Sequence, residues 1–287
     1  MVTSPLLSVV IPTWNRGHLV CEAIESAFNQ RPGEVEIIVV DDGSTDNTVE
    51  VVRRNFGSHI RLLCLPSRRG AGAARNAGIG LASGELIAFL DSDDLWLPGK
   101  LDAELSVFER FEDAEAVISD SLSFMEGRAE DRSRFAQNGL LAAAGGQMRW
   151  LAECQWLWTN SQNTVATCSI TLRRSVLARI GGKLFAEDLG SCEDWEFELR
   201  LYHSCRVVVL PEIWAHVRCF DDGSRLGRAL TGNPTTREQE ISLLRDRLKV
   251  MERSHWLSGL RADLAAELQR YRADTARKLA QFTNFEQ

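Results

Sequence analysis

Leu86-Ile87-Ala88-Phe89-Leu90-Asp91-Ser92-Asp93-Asp94 places five apolar residues directly ahead of three carboxylates. An apolar run of that length, with no polar alternation, reads as a strand buried on both faces. The acids then stand at its carboxyl end, where open α/β sheets bind ligands. Three carboxylates this close repel one another unless a positive group joins them. Hard divalent cations such as Mn²⁺ or Mg²⁺ suit that task, because they take oxygen ligands and bridge to substrate phosphates. A solvated acidic loop or a helix cap explains the same run without a ligand.

Similar punctuation recurs on either side of that stretch. Glu36 to Val40 reads as a second buried strand, and Leu7 to Ile11, Ile60 to Leu65 and Ala116 to Ser119 read as strands. Helical spacing separates them: Leu19, Val20, Ala23, Ile24 and Ala27; then Val49, Val52 and Phe56 behind a Ser44 or Thr45 cap; then Ala71 to Leu81; then Leu101, Leu105 and Phe108 with Pro98 in the first turn. Strand and helix alternating over 120 residues predicts an α/β fold with a mainly parallel sheet and helices on both faces. Beyond residue 120 the pattern weakens. Arg128 to Arg134 reads as a loop, Ser169 to Leu172 and Arg206 to Leu210 as strands, and Ser175 to Ile180 and Asp194 to His203 as helices.

The C-terminal end has another character. Thr235-x-x-Glu238 forms a capping box. Ile241, Leu244, Leu248 and Met251 mark one helical face, and Leu257, Leu260, Leu264, Leu268 and Tyr271 another. Residues 235–287 hold 10 Lys/Arg against 8 Asp/Glu, whereas residues 1–234 hold 23 against 32. So small a basic excess favours packing on the core or on a second copy of the chain, and leaves peripheral membrane contact as the minority reading.

The 287 residues carry a formal net charge of −7, which argues against a general nucleic-acid binder. Cys21, Cys64, Cys154, Cys168, Cys192, Cys205 and Cys219 include no C-x-x-C pair, so reduced thiols in a cytoplasmic protein are expected, with neither a disulfide framework nor a zinc site. No run approaches the roughly 18 apolar residues of a membrane span. Leu6 to Ile11 is followed by Pro12 and reads as a strand rather than a signal peptide.

Several other residues invite chemistry. Asp41-Asp42 ends the second strand, and a buried carboxylate there accepts a ring N–H of a nucleobase. Asp46 or Ser44 caps the following helix. Pro12 fixes the chain after the first strand, and Thr13 offers a hydroxyl; a simple turn is the plainer reading. Gly70-Ala-Gly-Ala-Ala-Arg75 only approximates a dinucleotide fingerprint, since Arg75 holds the third glycine position and the stretch follows the third strand. Its small residues suit close packing of a helix on the sheet, and Arg68, Arg69 and Arg75 face either a diphosphate or solvent. Cys192-Glu193-Asp194-Trp195-Glu196 puts acids at a helix start, where they either stabilise that terminus or bring a general base into the cleft.

Taken together, VVIPTWNR (9–16), IIVVDDGSTDNT (37–48), GAARNAGI (72–79), GELIAFLDSDD (84–94) and SCEDWEFELRL (191–201) resemble an inverting family 2 glycosyltransferase with the GT-A fold, in the family's order and over roughly the first 220 residues. The resemblance implies a GT-A domain over residues 1–220, with a nucleotide-binding half (1–120) and an acceptor-side half (121–220). A mobile loop and C-terminal helical extension would fill 221–287. It implies that Pro12, Thr13, Asp42, Arg75, Asp91, Ser92, Asp93 and Arg218 bind the nucleotide-sugar, with Thr13 and Asp42 at a uracil or thymine ring. Asp93 would be the main ligand of Mn²⁺ or Mg²⁺ in the D-x-D motif, with Asp91 near the ribose and metal, and His216 a further donor. Asp94 would only cap a helix. Asp194 would be the catalytic base with Glu193 beside it. His216 and Arg218 would sit on a mobile loop near the diphosphate.

The implied activity is metal-dependent transfer from a UDP- or dTDP-sugar to an acceptor hydroxyl, in polysaccharide, glycolipid or other glycan biosynthesis, in the cytoplasm or at the inner face of the membrane. Trp150, Trp156, Trp158 and Trp195 are either stacking surfaces for a sugar acceptor or core residues, the latter being the commoner role. A sugar-phosphate nucleotidyltransferase would carry a Gly-rich basic loop after the first strand, where this chain has Pro12-Thr13-Trp14-Asn15. A non-catalytic nucleotide-sugar-binding or assembly module is the other alternative, and the complete acid set speaks against it.

Overall fold

The run that ends in the carboxylates lies at the centre of the sheet, which is why it is apolar on both faces. The computed structural model describes residues 5–125, 128–129, 132–154, 165–181, 183–220, 237–253 and 262–283. Its strands are β1 (Leu7–Thr13), β2 (Val35–Asp41), β3 (Arg61–Cys64), β4 (Leu86–Phe89), β5 (Leu95–Trp96), β6 (Ala116–Met125), β7 (Arg128–Ala129), β8 (Arg149–Trp150), β9 (Ile170–Arg173) and β10 (Val207–Arg218). They form one sheet in the order β3-β2-β1-β4-β9-β6-β10-β5, with β7 on β6 and β8 on β10. The long pairings, β1 with β2 and β6 with β10, are parallel, as are β1 with β4 and β2 with β3. The antiparallel pairings run over only two or three residues each. This is the mainly parallel α/β sheet with flanking helices expected of a GT-A fold.

Period-2 alternation divides the core between the two faces. Leu7, Val9 and Ile11 of β1 meet Val20, Ala23 and Ile24 of the helix Val20–Phe28. Val10 turns to the other face, with Ile87, Phe89, Phe185 and Phe197. Each such Val, Leu, Ile or Phe side chain, fully buried, contributes about 1.5–3 kcal/mol. The helix Ala71–Ile79 lies so close to the sheet that a Cβ on Gly78 would stand 2.4 Å from Val10 Cγ1. The small residues of this stretch therefore serve helix–sheet packing.

Local differences from the sequence reading have local causes. The helix Lys100–Arg110 begins after Gly99 at φ 90°, so Pro98 precedes its first turn instead of occupying it. The Asp46 carboxylate accepts the Thr48 N–H at 3.0 Å at the start of the helix Thr48–Phe56, while Ser44 Oγ accepts the N–H of Asn15. The N-cap position is Asn47, whose side chain makes no cap bond, and Asp46 just before it, neither Ser44 nor Thr45, satisfies the first N–H of the helix. Strand β10 continues eight residues past Leu210, because Pro211, which lacks an N–H, falls where the register shifts at a bulge. Part of the expected 128–134 loop pairs as β7, and Ser133 caps a short helix, Arg134–Asn138.

All seven cysteines are free thiols. Among the described residues no helix is long and apolar enough to cross a membrane. The helices Arg237–Arg253 and Ala262–Thr283 form the C-terminal extension. Thr235, Trp156, Trp158, Leu257 and Leu260 lie outside the described residues.

Candidate active site

Parallel pairing brings the carboxyl ends of β1, β2 and β4 to one edge of the sheet. Thr13 is in register with Asp41, and the Asp42 N–H donates to the Thr13 carbonyl at 2.8 Å. The Asp42 carboxylate, 4% exposed, accepts the N–H groups of Arg69 at 2.7 Å and Gly70 at 2.8 Å. That holds the 67–70 turn over the end of β2, where Gly43 at φ +73° leaves no room for a side chain beside Arg68. Each carboxylate oxygen keeps a second lone pair. Thr13 Oγ1 and Asp41 Oδ1 are buried there without a hydrogen-bond partner. The Arg68 guanidinium stacks 3.6 Å above the Trp14 ring, and Arg69 pairs with Glu187 at 2.9 Å. Both arginines are thus exposed and held by neighbours within the chain.

The three acids after β4 have three different surroundings. Asp91 accepts Arg75 Nη2 at 2.6 Å. Asp93 accepts Arg16 Nε at 3.1 Å. Asp94 accepts the backbone N–H of Arg218 at 2.9 Å. Burial, and then the charge of Asp91, push the Asp93 carboxyl up against the pull of Arg16. Asp94 is pushed well up by burial, then by Asp93 and Asp91. It is followed by β5, and no helix begins before Lys100. The expectation of a helix cap at Asp94 is therefore corrected: its carboxylate ties the acidic turn to the end of β10. Ser92 lies buried between Asp91 and Asp93.

Arg75 joins the two halves of the site. Its guanidinium is 4% exposed and packs 5.1 Å from the centre of the Phe185 ring. One amino group reaches Asp91 and the other reaches Glu193 Oε1 at 3.1 Å. Burial opposes its charge, but Asp91 and Glu193 hold it well above the usual arginine range. Glu193 and Asp194 open the helix Glu193–Ser204 behind Cys192, a non-glycine residue at φ 65°. Burial, then the adjacent Asp194, push the Glu193 carboxyl up to about 7, with Arg75 acting against the rise. A Cβ on Gly72 would stand 3.2 Å from Glu193 Cγ, so the glycine lets the acid approach. Asp194 is half-buried and accepts the Trp195 N–H at 2.8 Å.

His216 and Arg218 lie in β10 and not on a loop. Arg218 donates through Nε to the Asp93 carbonyl at 3.0 Å and through Nη2 to Glu22 at 2.8 Å. The half-buried His216 sets its ring 5.7 Å from that of Phe124, and burial lowers its pKa. Trp150 packs edge-on against Phe111 and Trp195 against Tyr271, which is core packing. Arg16 is the residue that the sequence reading gave no role. Its signal was a basic residue just past the first strand end.

The acid cluster suits a hard cation. Asp91 and Asp93 offer oxygen donors, and their carboxyls and that of Asp94 stand close enough to repel one another. Among the described residues no three His, Cys, Asp or Glu side chains gather to enclose a metal ion.

The computed fold has close counterparts. The mannosyltransferase PcManGT from Pyrobaculum calidifontis, solved with GDP-Man and Mn²⁺, superposes with a TM-score of 0.66 at 18% identity, over 98% of this chain and 74% of that one. S. aureus TarS 1-349 with UDP-GlcNAc gives 0.63 at 22% identity, over 97% and 71%. At such identities the likeness is one of fold. In sequence, the Escherichia coli UDP-Glc:alpha-D-GlcNAc-diphosphoundecaprenol beta-1,3-glucosyltransferase WfgD is 37% identical over 125 residues, 44% of this chain and 46% of that protein. The succinoglycan biosynthesis protein ExoO of Rhizobium meliloti is 44% identical over 97 residues, 34% and 28% of the two chains. The matched segment thus spans less than half the length of these relatives. The profile described as Glycosyl transferase family 2 matches residues 8–181, which include the ends of β1, β2 and β4 and the turn carrying Asp91 to Asp94, and so the chain belongs to glycosyl transferase family 2.

Proposed function

We propose that this chain moves a sugar from a nucleotide-diphospho-sugar to an acceptor hydroxyl with inversion at the anomeric carbon. The observation that carries the reading is the Arg75 bridge. It holds Asp91, at the donor end of the sheet, and Glu193, next to Asp194, on one guanidinium. In this reading donor site and base share one cleft.

In this reading Pro12, Thr13 and Asp42 border the nucleobase. Asp42 takes the ring N–H of a uracil or thymine with a free lone pair, and the unpaired Thr13 hydroxyl offers a further contact. Asp91, Ser92 and Asp93 face the ribose and diphosphate. Asp93 with Asp91 would hold Mn²⁺ or Mg²⁺. When bound, the ion offsets charge on the departing diphosphate. Arg218, anchored to the Asp93 carbonyl, keeps the acidic turn in place. Asp194 takes the proton of the acceptor hydroxyl as its oxygen attacks from the face opposite the diphosphate. Glu193, neutral part of the time near pH 7, keeps charge repulsion at Asp194 low.

The names of relatives support a donor such as a UDP-hexose and an acceptor on a lipid-linked or polymeric glycan. The place of work is then the cytoplasm or the inner face of the membrane, where the C-terminal helices would provide peripheral contact or pair two copies of the chain. A thermal-shift screen of UDP-, dTDP- and GDP-sugars with Mn²⁺ tests the reading, because a bound donor raises the melting temperature by mass action. A metal-dependent rise with a UDP- or dTDP-sugar is expected. No shift with any of them contradicts the proposal.

A further inference from the structure

The residues that present Asp194 are held from the C-terminal helical extension. The helix Arg237–Arg253 places Asp246 against the turn before Glu193, and Asp246 is 4% exposed. One oxygen, Oδ2, accepts the backbone N–H of Gly190 and that of Ser191, each at 3.0 Å. Lys249 stands 3.3 Å from the other oxygen, on the same helix. A second set of contacts flanks this clamp. Arg253 pairs with Asp188, and Val250 and Met251 pack with Trp195, which is itself edge-on to Tyr271 at 6.2 Å. The next residue, Cys192, holds a left-handed backbone that a non-glycine side chain disfavours, so it needs its neighbours fixed.

We propose that Asp246 is a positioning residue. It fixes the 190–191 backbone, and through Cys192 it sets where Glu193 and Asp194 enter the cleft. This rests on the reading of Asp194 as the base. A carboxylate accepting two backbone N–H groups through one oxygen is a geometry that an asparagine carbonyl reproduces and an alanine does not. A shift of the base by an ångström costs as much as about a hundredfold in rate.

The experiment compares Asp246→Ala and Asp246→Asn with the wild-type full chain. Hydrogen exchange at the Gly190 and Ser191 amides, UDP and GDP affinity by calorimetry with Mn²⁺, and nucleotide release from UDP-glucose, UDP-GlcNAc and GDP-mannose are measured together. Asp246→Ala should speed exchange at 190–191 and cut turnover by about tenfold or more, with nucleotide affinity within about twofold of wild type. Asp246→Asn should restore protection and most of the turnover. Wild-type turnover in Asp246→Ala overturns the proposal, as does an Asp246→Asn variant as slow as the alanine. If the wild type releases nucleotide from none of the three donors, the donor reading fails by itself. Exchange then decides: unchanged protection of 190–191 in Asp246→Ala overturns the positioning role. A melting curve matching wild type sets global unfolding aside.

Discussion

Arg16 donates its Nε to the carboxylate of Asp93 at 3.1 Å, from the end of one strand to the turn after another 77 residues on. The guanidinium thus stands where a cation held by Asp93 would compete with it. Its removal takes away one positive charge and leaves the carboxylate to the metal. Arg16→Gln is expected to raise the affinity for Mn²⁺ alone by about tenfold, or ~1.4 kcal/mol. Electron paramagnetic resonance of free Mn²⁺, titrated without donor, measures it. Unchanged or weaker binding would count against Asp93 as a ligand.

Among the described residues Arg75 pairs with both Asp91 and Glu193, and all three side chains are at most one-fifth exposed. Arg75→Met leaves two carboxylates without their partner. Breaking a buried pair in this way costs about 3–5 kcal/mol. Urea unfolding of the variant against wild type should show that loss. A loss under about 1 kcal/mol would mean that water already screens the bridge.

The raised Glu193 carboxyl has a signed consequence for stability. Its folded value of about 7 lies above the ordinary 4.5, so between those values the native state binds more protons than the unfolded one. Stability from this group is therefore present at low pH and is lost as pH rises through 4.5 to 7. Glu193→Gln removes the loss. The melting temperature of the variant, relative to wild type, should become more favourable between pH 5 and pH 8. A constant difference would place the carboxyl near its ordinary value.

Gly78 faces Val10 with no space between them. Gly78→Ala should destabilise the chain by about 1–3 kcal/mol through overpacking, read from the denaturant midpoint. Gly72→Ala is gentler, since its Cβ would stand 3.2 Å from Glu193 Cγ and 3.3 Å from the Ala186 carbonyl oxygen and Phe185 Cβ, and it should cost less stability than Gly78→Ala in the same measurement.

Much of the fold was legible because β1, β2, β4 and their helices are local patterns: an apolar run, a turn, an amphipathic face. The length of β10 was not. Pro211 reads as an ending, and only pairing with β6 shows that the strand bulges and continues. Within the site, the strand-end acids were legible by type, and their division of labour was not. Asp94 and Asp93 are adjacent in sequence, yet one serves the backbone of Arg218 and the other faces Arg16, partners 124 and 77 residues away. The buried Arg75 bridge was not legible, because its two acids come from different parts of the chain. Asp246 carried no local signal, since a lone acid in a charged helix reads as solvated.

The most direct test of the account is the Asp194→Asn variant, assayed with the nucleotide-sugar selected by thermal shift. The account predicts that turnover falls by about 10²–10⁴-fold while metal-dependent binding of the donor stays at the wild-type level. Turnover that survives the substitution would contradict Asp194 as the base.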